Sequence, residues 1–97
     1  MTVFAVDYQY DSATAALRDE HRPAHRNWLS AQADQGLLLA SGPYTDGTGA
    51  LLLFSVEDQP QLEELVRQDP FQQAGAVART SSREWNPIIG QLAASAS

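Results

Sequence analysis

Ninety-seven residues with a 43% hydrophobic content and no cysteine describe one small soluble domain, too short to divide into two independent cores. Without cysteine there is no disulfide framework, no thiolate zinc site and no cysteine nucleophile. Twelve acids oppose six bases, all arginine, for a formal charge of −6: the lack of lysine excludes Schiff-base chemistry, and the acidic balance argues against a nucleic-acid partner.

Val3 to Tyr10 is rich in β-branched and aromatic residues and stops at Asp11-Ser12, which predicts a first strand and a turn. From Ala13 to Gln35 the composition is helical, with apolar positions at Leu17, Trp28 and Leu29 and a stop at Gly36. Pro23 interrupts that stretch. Proline suits a first helical turn and breaks an interior one, so the expectation is a lead-in turn to about His21 and a main helix from near Pro23. Leu37–Ser41 and Ala50–Val56 predict an antiparallel pair joined by a loop carrying Pro43 and Asp46-Gly47. Glu57, Asp58 and Pro60 start a second helix with a stripe of Leu62, Leu65 and Val66, and Asp69-Pro70 starts a brief third one that ends at Gly75. Ala76–Trp85 predicts the fourth strand.

The order is β-α-β-β-α-β, an α+β ferredoxin-like sandwich with a four-stranded antiparallel sheet and helices on one face. One domain over residues 1–92 and a tail over 93–97 are expected. In the second and third strands leucines point both ways: Leu37 and Leu39 against Leu38 and Ala40, and Leu52 and Phe54 against Leu51 and Leu53. Helices cover only one face, so a second copy of the chain is expected on the other. The longest apolar runs fall far below the roughly 18 residues of a membrane span, and the stretch through Asp7 lacks the basic region of a signal peptide. The expected setting is a cytoplasmic homodimer with no membrane or nucleic-acid partner.

His21 and His25 are the only histidines and stand four apart, a spacing that on one helix face admits a metal. Pro23, expected to start the helix between them, and the flanking Arg22 and Arg26 argue against a dication, so no metal and no cofactor are expected. His25 lies one turn before Trp28 and Leu29, near the core-facing stripe; it reads either as a half-buried histidine satisfied by a backbone carbonyl or as an acid/base group. Asp69 reads as a helix cap by its position before Pro70. Arg22 can clamp a carboxylate or phosphate with its planar fork. Ser41-Gly42-Pro43 can expose a hydroxyl and backbone amides at a strand end, although no G-x-S-x-G surrounds Ser41.

Arg22-Pro23-Ala24-His25, Gly36-Leu37-Leu38-Leu39-Ala40-Ser41-Gly42-Pro43 and Asp69-Pro70-Phe71-Gln72-Gln73-Ala74-Gly75, taken together, resemble the YCII-related family from the first strand to about Gly90. The resemblance implies a ferredoxin-like fold of the dimeric α/β-barrel type and a site centred on a histidine and an aspartate, by position His25 and Asp69. The chemistry it implies is that of the better-understood relatives, elimination of chloride from chlorinated hydroxyquinols. The expectation is then a small-molecule enzyme in which His25 is the general acid/base, Asp69 its orienter, and Arg22 with Ser41, Gly42 and Pro43 the contact for a ligand with an anionic group. Two other readings stay open: a non-catalytic dimer that binds or senses a small metabolite with the same residues, and a structural dimer whose His25 and Asp69 pin helix ends together. If the pair acts as a unit, the two side chains, 44 positions apart, must approach within about 4 to 6 Å or be bridged by one water.

Overall fold

β1, Thr2–Gln9, is the strand around which the domain is laid out. In the computed structural model, which describes residues 1–96, the order continues with a 3₁₀ turn at Ser12–Thr14, α1 (Ala15–Asp34), β2 (Leu38–Pro43), β3 (Gly49–Val56), α2 (Gln59–Arg67), α3 (Pro70–Gln73), β4 (Arg79–Glu84) and a 3₁₀ turn at Ala93–Ala96. The four strands form one antiparallel sheet in the order β2-β3-β1-β4. This is the expected ferredoxin-like α+β architecture. Ser97, the last residue of the expected tail, lies outside the described residues.

Alternation along β1 and β3 sends Phe4, Val6, Tyr8, Leu52, Phe54 and Val56 to the helix side, where they meet Leu62 and Leu65 of α2. Each such apolar side chain contributes about 1.5 to 3 kcal/mol by leaving water. Gly49 is obligatory at the start of β3, because a Cβ there would sit 1.9 Å from the Tyr8 carbonyl oxygen. Gly75, at φ 70°, turns the chain out of α3 so that the Gly75 and Ala76 amides donate to the Gln72 and Phe71 carbonyls.

Two local expectations are corrected. α1 does not begin near Pro23 but runs unbroken through it. Pro23 and Asp19, the residue whose carbonyl loses its donor, are both exposed, so the proline lies on the solvent side of the helix, where water can reach the freed group. β2 carries a bulge: Leu38 pairs with Phe54 and Ala40 with Leu53, leaving Leu39 as an extra residue. The strict alternation expected there is reversed after Leu39, so Ser41 opposes Leu52 and lies on the helix side. Strand ends also shift, most at β4, which starts at Arg79 instead of Ala76.

The face away from the helices is partly covered by the chain itself. Val3 and Leu53 are buried, and the turn at Ala93–Ala96 lies against β1. Leu51 and Trp85 remain 37% and 43% exposed.

Candidate active site

Three elements converge at one end of the helix layer. Asp69 caps α3, its Oδ1 accepting from the Phe71 amide at 2.9 Å, and the chain turn that puts it there drives the carboxylate into the interior, where it is fully buried. Tyr8, buried on β1, donates its hydroxyl to Asp69 Oδ2 at 2.7 Å. His25 of α1, 8% exposed, meets Asp69 Oδ1 through Nδ1 at 2.7 Å. The expected approach of His25 and Asp69 is thus a direct contact.

The Phe71 amide and the Tyr8 hydroxyl both donate to the Asp69 carboxylate, matching its ionised form, which only accepts; on that basis the tautomer is assigned with the hydrogen on Nδ1, facing Asp69, and Nε2 as the basic nitrogen. The ring is further fixed by stacking on Phe71, with centroids 3.8 Å apart and planes within 4°. Burial, then the Asp69 charge and the hydrogen bond to it, push the Tyr8 phenol far above its ordinary range, so it stays a donor at any physiological pH.

His25 opens onto a cavity of about 350 Å³, whose wall also includes Arg22, Ser41, Gly42 and Pro43. All the sequence-derived contact residues therefore share one space with His25, and Asp69 sits behind it. Ser41 reaches the cavity because of the β2 bulge. Arg22 is also tied to Asp19 at 2.8 Å on the helix surface. His21 points elsewhere: it is partly exposed, 3.8 Å from Glu20. Since α1 is continuous, Pro23 does not separate the histidines as expected. What sets them apart is that Asp69 occupies Nδ1 of His25, and among the described residues no cluster of three His, Asp or Glu side chains could hold a metal.

A larger cavity of about 440 Å³ lies between α2, α3 and β4, lined by Leu62, Val66, Gln72 and Thr80 among others, and contains neither histidine. Chemistry favours the smaller one, which is lined by a buried imidazole whose Nε2 has no partner among the described residues.

The model of the YCII-related domain matches residues 1–86. The chain belongs to the YCII-related family. This YCII-related domain also superimposes on the solved structure of 5-chloro-2-hydroxyhydroquinone dehydrochlorinase from Burkholderia phenoliruptrix AC1100, in complex with 2,5-dihydroxybenzoquinone. The TM-score is 0.77 at 22% sequence identity, over 87% of this chain and 93% of that one, a likeness that establishes the shared fold. A search of curated proteins found no match.

Four residues of the YCII-related domain that shape the site were not singled out for it by sequence reasoning. Tyr8 and Phe71 read as core aromatics; only the fold shows one donating to Asp69 and the other stacking on His25. Tyr10 lines the cavity and meets Phe71 edge-on at 6.2 Å. Arg18, 7% exposed, lies over the Tyr10 ring at 4.3 Å and donates to the Thr14 hydroxyl and to the Asp11 and Ala76 carbonyls. Sequence carried one unused signal: Arg18, Arg22 and Arg26 recur every four residues beside His25, a single stripe once the helix is continuous.

Proposed function

We propose that this protein is a small-molecule enzyme of the proton-transfer or elimination type, with His25 as acid/base and Asp69 as its orienter. The observation that carries the reading is the buried chain Tyr8, Asp69, His25, which ends in an imidazole on a cavity wall whose Nε2 has no partner among the described residues. Such a chain fixes the tautomer, aims the ring and stabilises the imidazolium that forms when Nε2 takes a proton. The fold shared with a dehydrochlorinase supports the reaction class.

For a halogenated hydroxyaromatic, one imidazole suffices for the whole sequence. Nε2 takes a proton from a ring hydroxyl and returns it to the carbon bearing the halogen, giving the keto tautomer. It then takes the proton of a second hydroxyl, and the electron pair released moves through the ring and expels halide with its bonding pair. The net change is loss of one proton and one halide, with no oxidant required. Ser41, Gly42, Pro43 and Arg22 hold the ligand against His25 in this reading. The working unit is a homodimer, supported by Leu51 and Trp85, which stay exposed where the chain itself only partly covers the sheet face away from the helices.

The test compares wild type with His25→Gln on a chlorinated trihydroxybenzene under single-turnover conditions, following chloride release, alongside affinity for 2,5-dihydroxybenzoquinone. Glutamine keeps hydrogen bonding but cannot titrate, so release should fall by about 100-fold or more with affinity nearly intact. Equal release in both proteins defeats the acid/base role. Binding without turnover in wild type favours a carrier or sensor.

A further inference from the structure

The cavity beside His25 carries formal charge of one sign. Its charged lining residues are Arg22 and Arg26, with no carboxylate beside them on the wall, in a chain that has twice as many acids as bases. The two arginines are four apart on α1 and share a face with His25. Like charges one turn apart repel, and an anion between them removes that repulsion. Arg22 is already met through Nη1 by Asp19, whereas Arg26 has no hydrogen-bond or ionic partner among the described residues. Behind the wall, the buried charges of Asp69 and Arg18 are opposite in sign. Arg18 bonds a hydroxyl and two carbonyls directly, and the Asp11 carboxylate is linked to it only through the shared Thr14 hydroxyl. The wall thus presents one unmatched positive charge.

The rest of the wall describes the body of the ligand. Leu29, Leu52, Pro43 and the Phe71 ring are apolar, and 350 Å³ is near the lower end for small-molecule sites, enough for about one ring. Tyr10 adds a hydroxyl with no partner among the described residues, on a ring held in place by Arg18. Burial and the Asp69 charge raise this phenol more than Arg18 and Arg22 lower it, so it remains a donor.

Resting on the acid/base reading above, we propose that the site selects a single-ring organic monoanion, its charged oxygen held by Arg26 and Arg22 with Tyr10 donating to the same oxygen. Arg26 is the new specificity residue: none of the three sequence elements that carry the resemblance contains it, and its charge has no partner among the described residues.

A phenolate dye measures this directly. Bound 4-nitrophenol should show an apparent pKa at least about one unit below that of the free dye, which is a tenfold preference for the anion. Benzoate should displace it at least about tenfold better than benzamide, its neutral counterpart. Displacement by benzoate alone, without a dye shift, assigns the site to carboxylates; a shift without displacement assigns it to phenolates. Arg26→Gln, at an exposed position that does not hold the fold, should remove most of the shift. Arg83→Gln on β4 changes the net charge equally and should leave the shift intact. The proposal is overturned if the bound dye keeps or raises its pKa while benzamide competes as well as benzoate, or if Arg83→Gln acts as strongly as Arg26→Gln. Absence of dye and benzoate binding at about 10 mM, where even millimolar affinity registers, overturns it as well. Failure of the catalytic reading looks different: wild type then shows the dye shift but releases no chloride. Turnover by a protein that prefers neutral ligands would defeat the anion proposal alone.

Discussion

The imidazole of His25 lies flat on the ring of Phe71, and the amide of that same Phe71 bonds the carboxylate that holds the imidazole. One residue therefore sets both the plane and the partner of the proposed base. Phe71→Leu keeps the amide and removes the ring. The stacked geometry predicts that the His25 ring protons resonate upfield in wild type and move back toward ordinary values in the variant, with a stability loss of about 1 to 2 kcal/mol. An unshifted His25 signal in wild type would contradict the stack.

Asp69→Asn tests the carboxylate as a hub. An amide retains one acceptor oxygen where the carboxylate offers two, and its NH₂ faces a hydrogen that Tyr8 or His25 brings to the same place. The loss should be about 3 kcal/mol in urea unfolding, since one partner of a buried charged cluster is removed. A change below about 1 kcal/mol would reduce Asp69 to a helix cap.

The alkaline limb of stability belongs in part to Tyr8. Its phenol is raised in the folded state, so the native protein keeps a proton that the unfolded chain releases above about pH 10. The stabilising contribution is complete below that pH and declines as pH rises beyond it, by about 1.4 kcal/mol per pH unit for this group. Tyr8→Phe has no proton to lose: it should be less stable at pH 7, for want of the bond to Asp69, and flatter above pH 10 in denaturant titrations. Parallel curves for the two proteins would contradict the assignment.

Gly49→Ala should be among the most damaging single-atom additions available to this chain. The new methyl would overlap the Tyr8 carbonyl, a backbone atom inside the β1–β3 pairing. Either the pairing opens at Gln9 or β1 shifts, and Tyr8 moves with it. The cost should reach at least the 1 to 3 kcal/mol typical of about one overpacked methyl, with weaker hydrogen-exchange protection at Tyr10, whose amide bonds Thr48.

The succession of strands and helices along the chain and the Asp69 cap were legible because each rests on local signals: β-branched runs, an acid before proline, glycine at a helix end. His25 and Asp69 were legible together only through the sequence elements that contain them, since nothing in a periodicity relates positions 25 and 69. α1 shows why the rest was hidden. Its buried residues are Arg18, His25 and Gln32, seven apart and all polar, while Leu17 is partly exposed. A search for an apolar stripe looks past such a helix, because Arg18 and His25 on its buried side are satisfied by hydrogen bonds and ring stacking. Pro23 misled for a related reason: its effect depends on whether the freed carbonyl faces water, a property of the tertiary structure. The β2 bulge depends on pairing with β3, which no single strand encodes.

The extra residue at Leu39 works as a parity bit for the ligand wall. With the bulge, Ser41 stands over the cavity; in strict alternation, with Leu39 opposite Leu53, the same strand would present Ala40 there and turn the hydroxyl to the other side of the sheet. A substitution that drew Leu39 into the ladder would therefore exchange a hydrogen-bonding wall for a methyl-lined one while His25, Asp69 and the helix layer kept their places, whereas deleting Leu39 would leave Ser41 opposite Leu52. Relatives with the same His-Asp pair and an unbulged strand of the same length would then recognise different compounds, a route to new specificity that alters register before it alters chemistry.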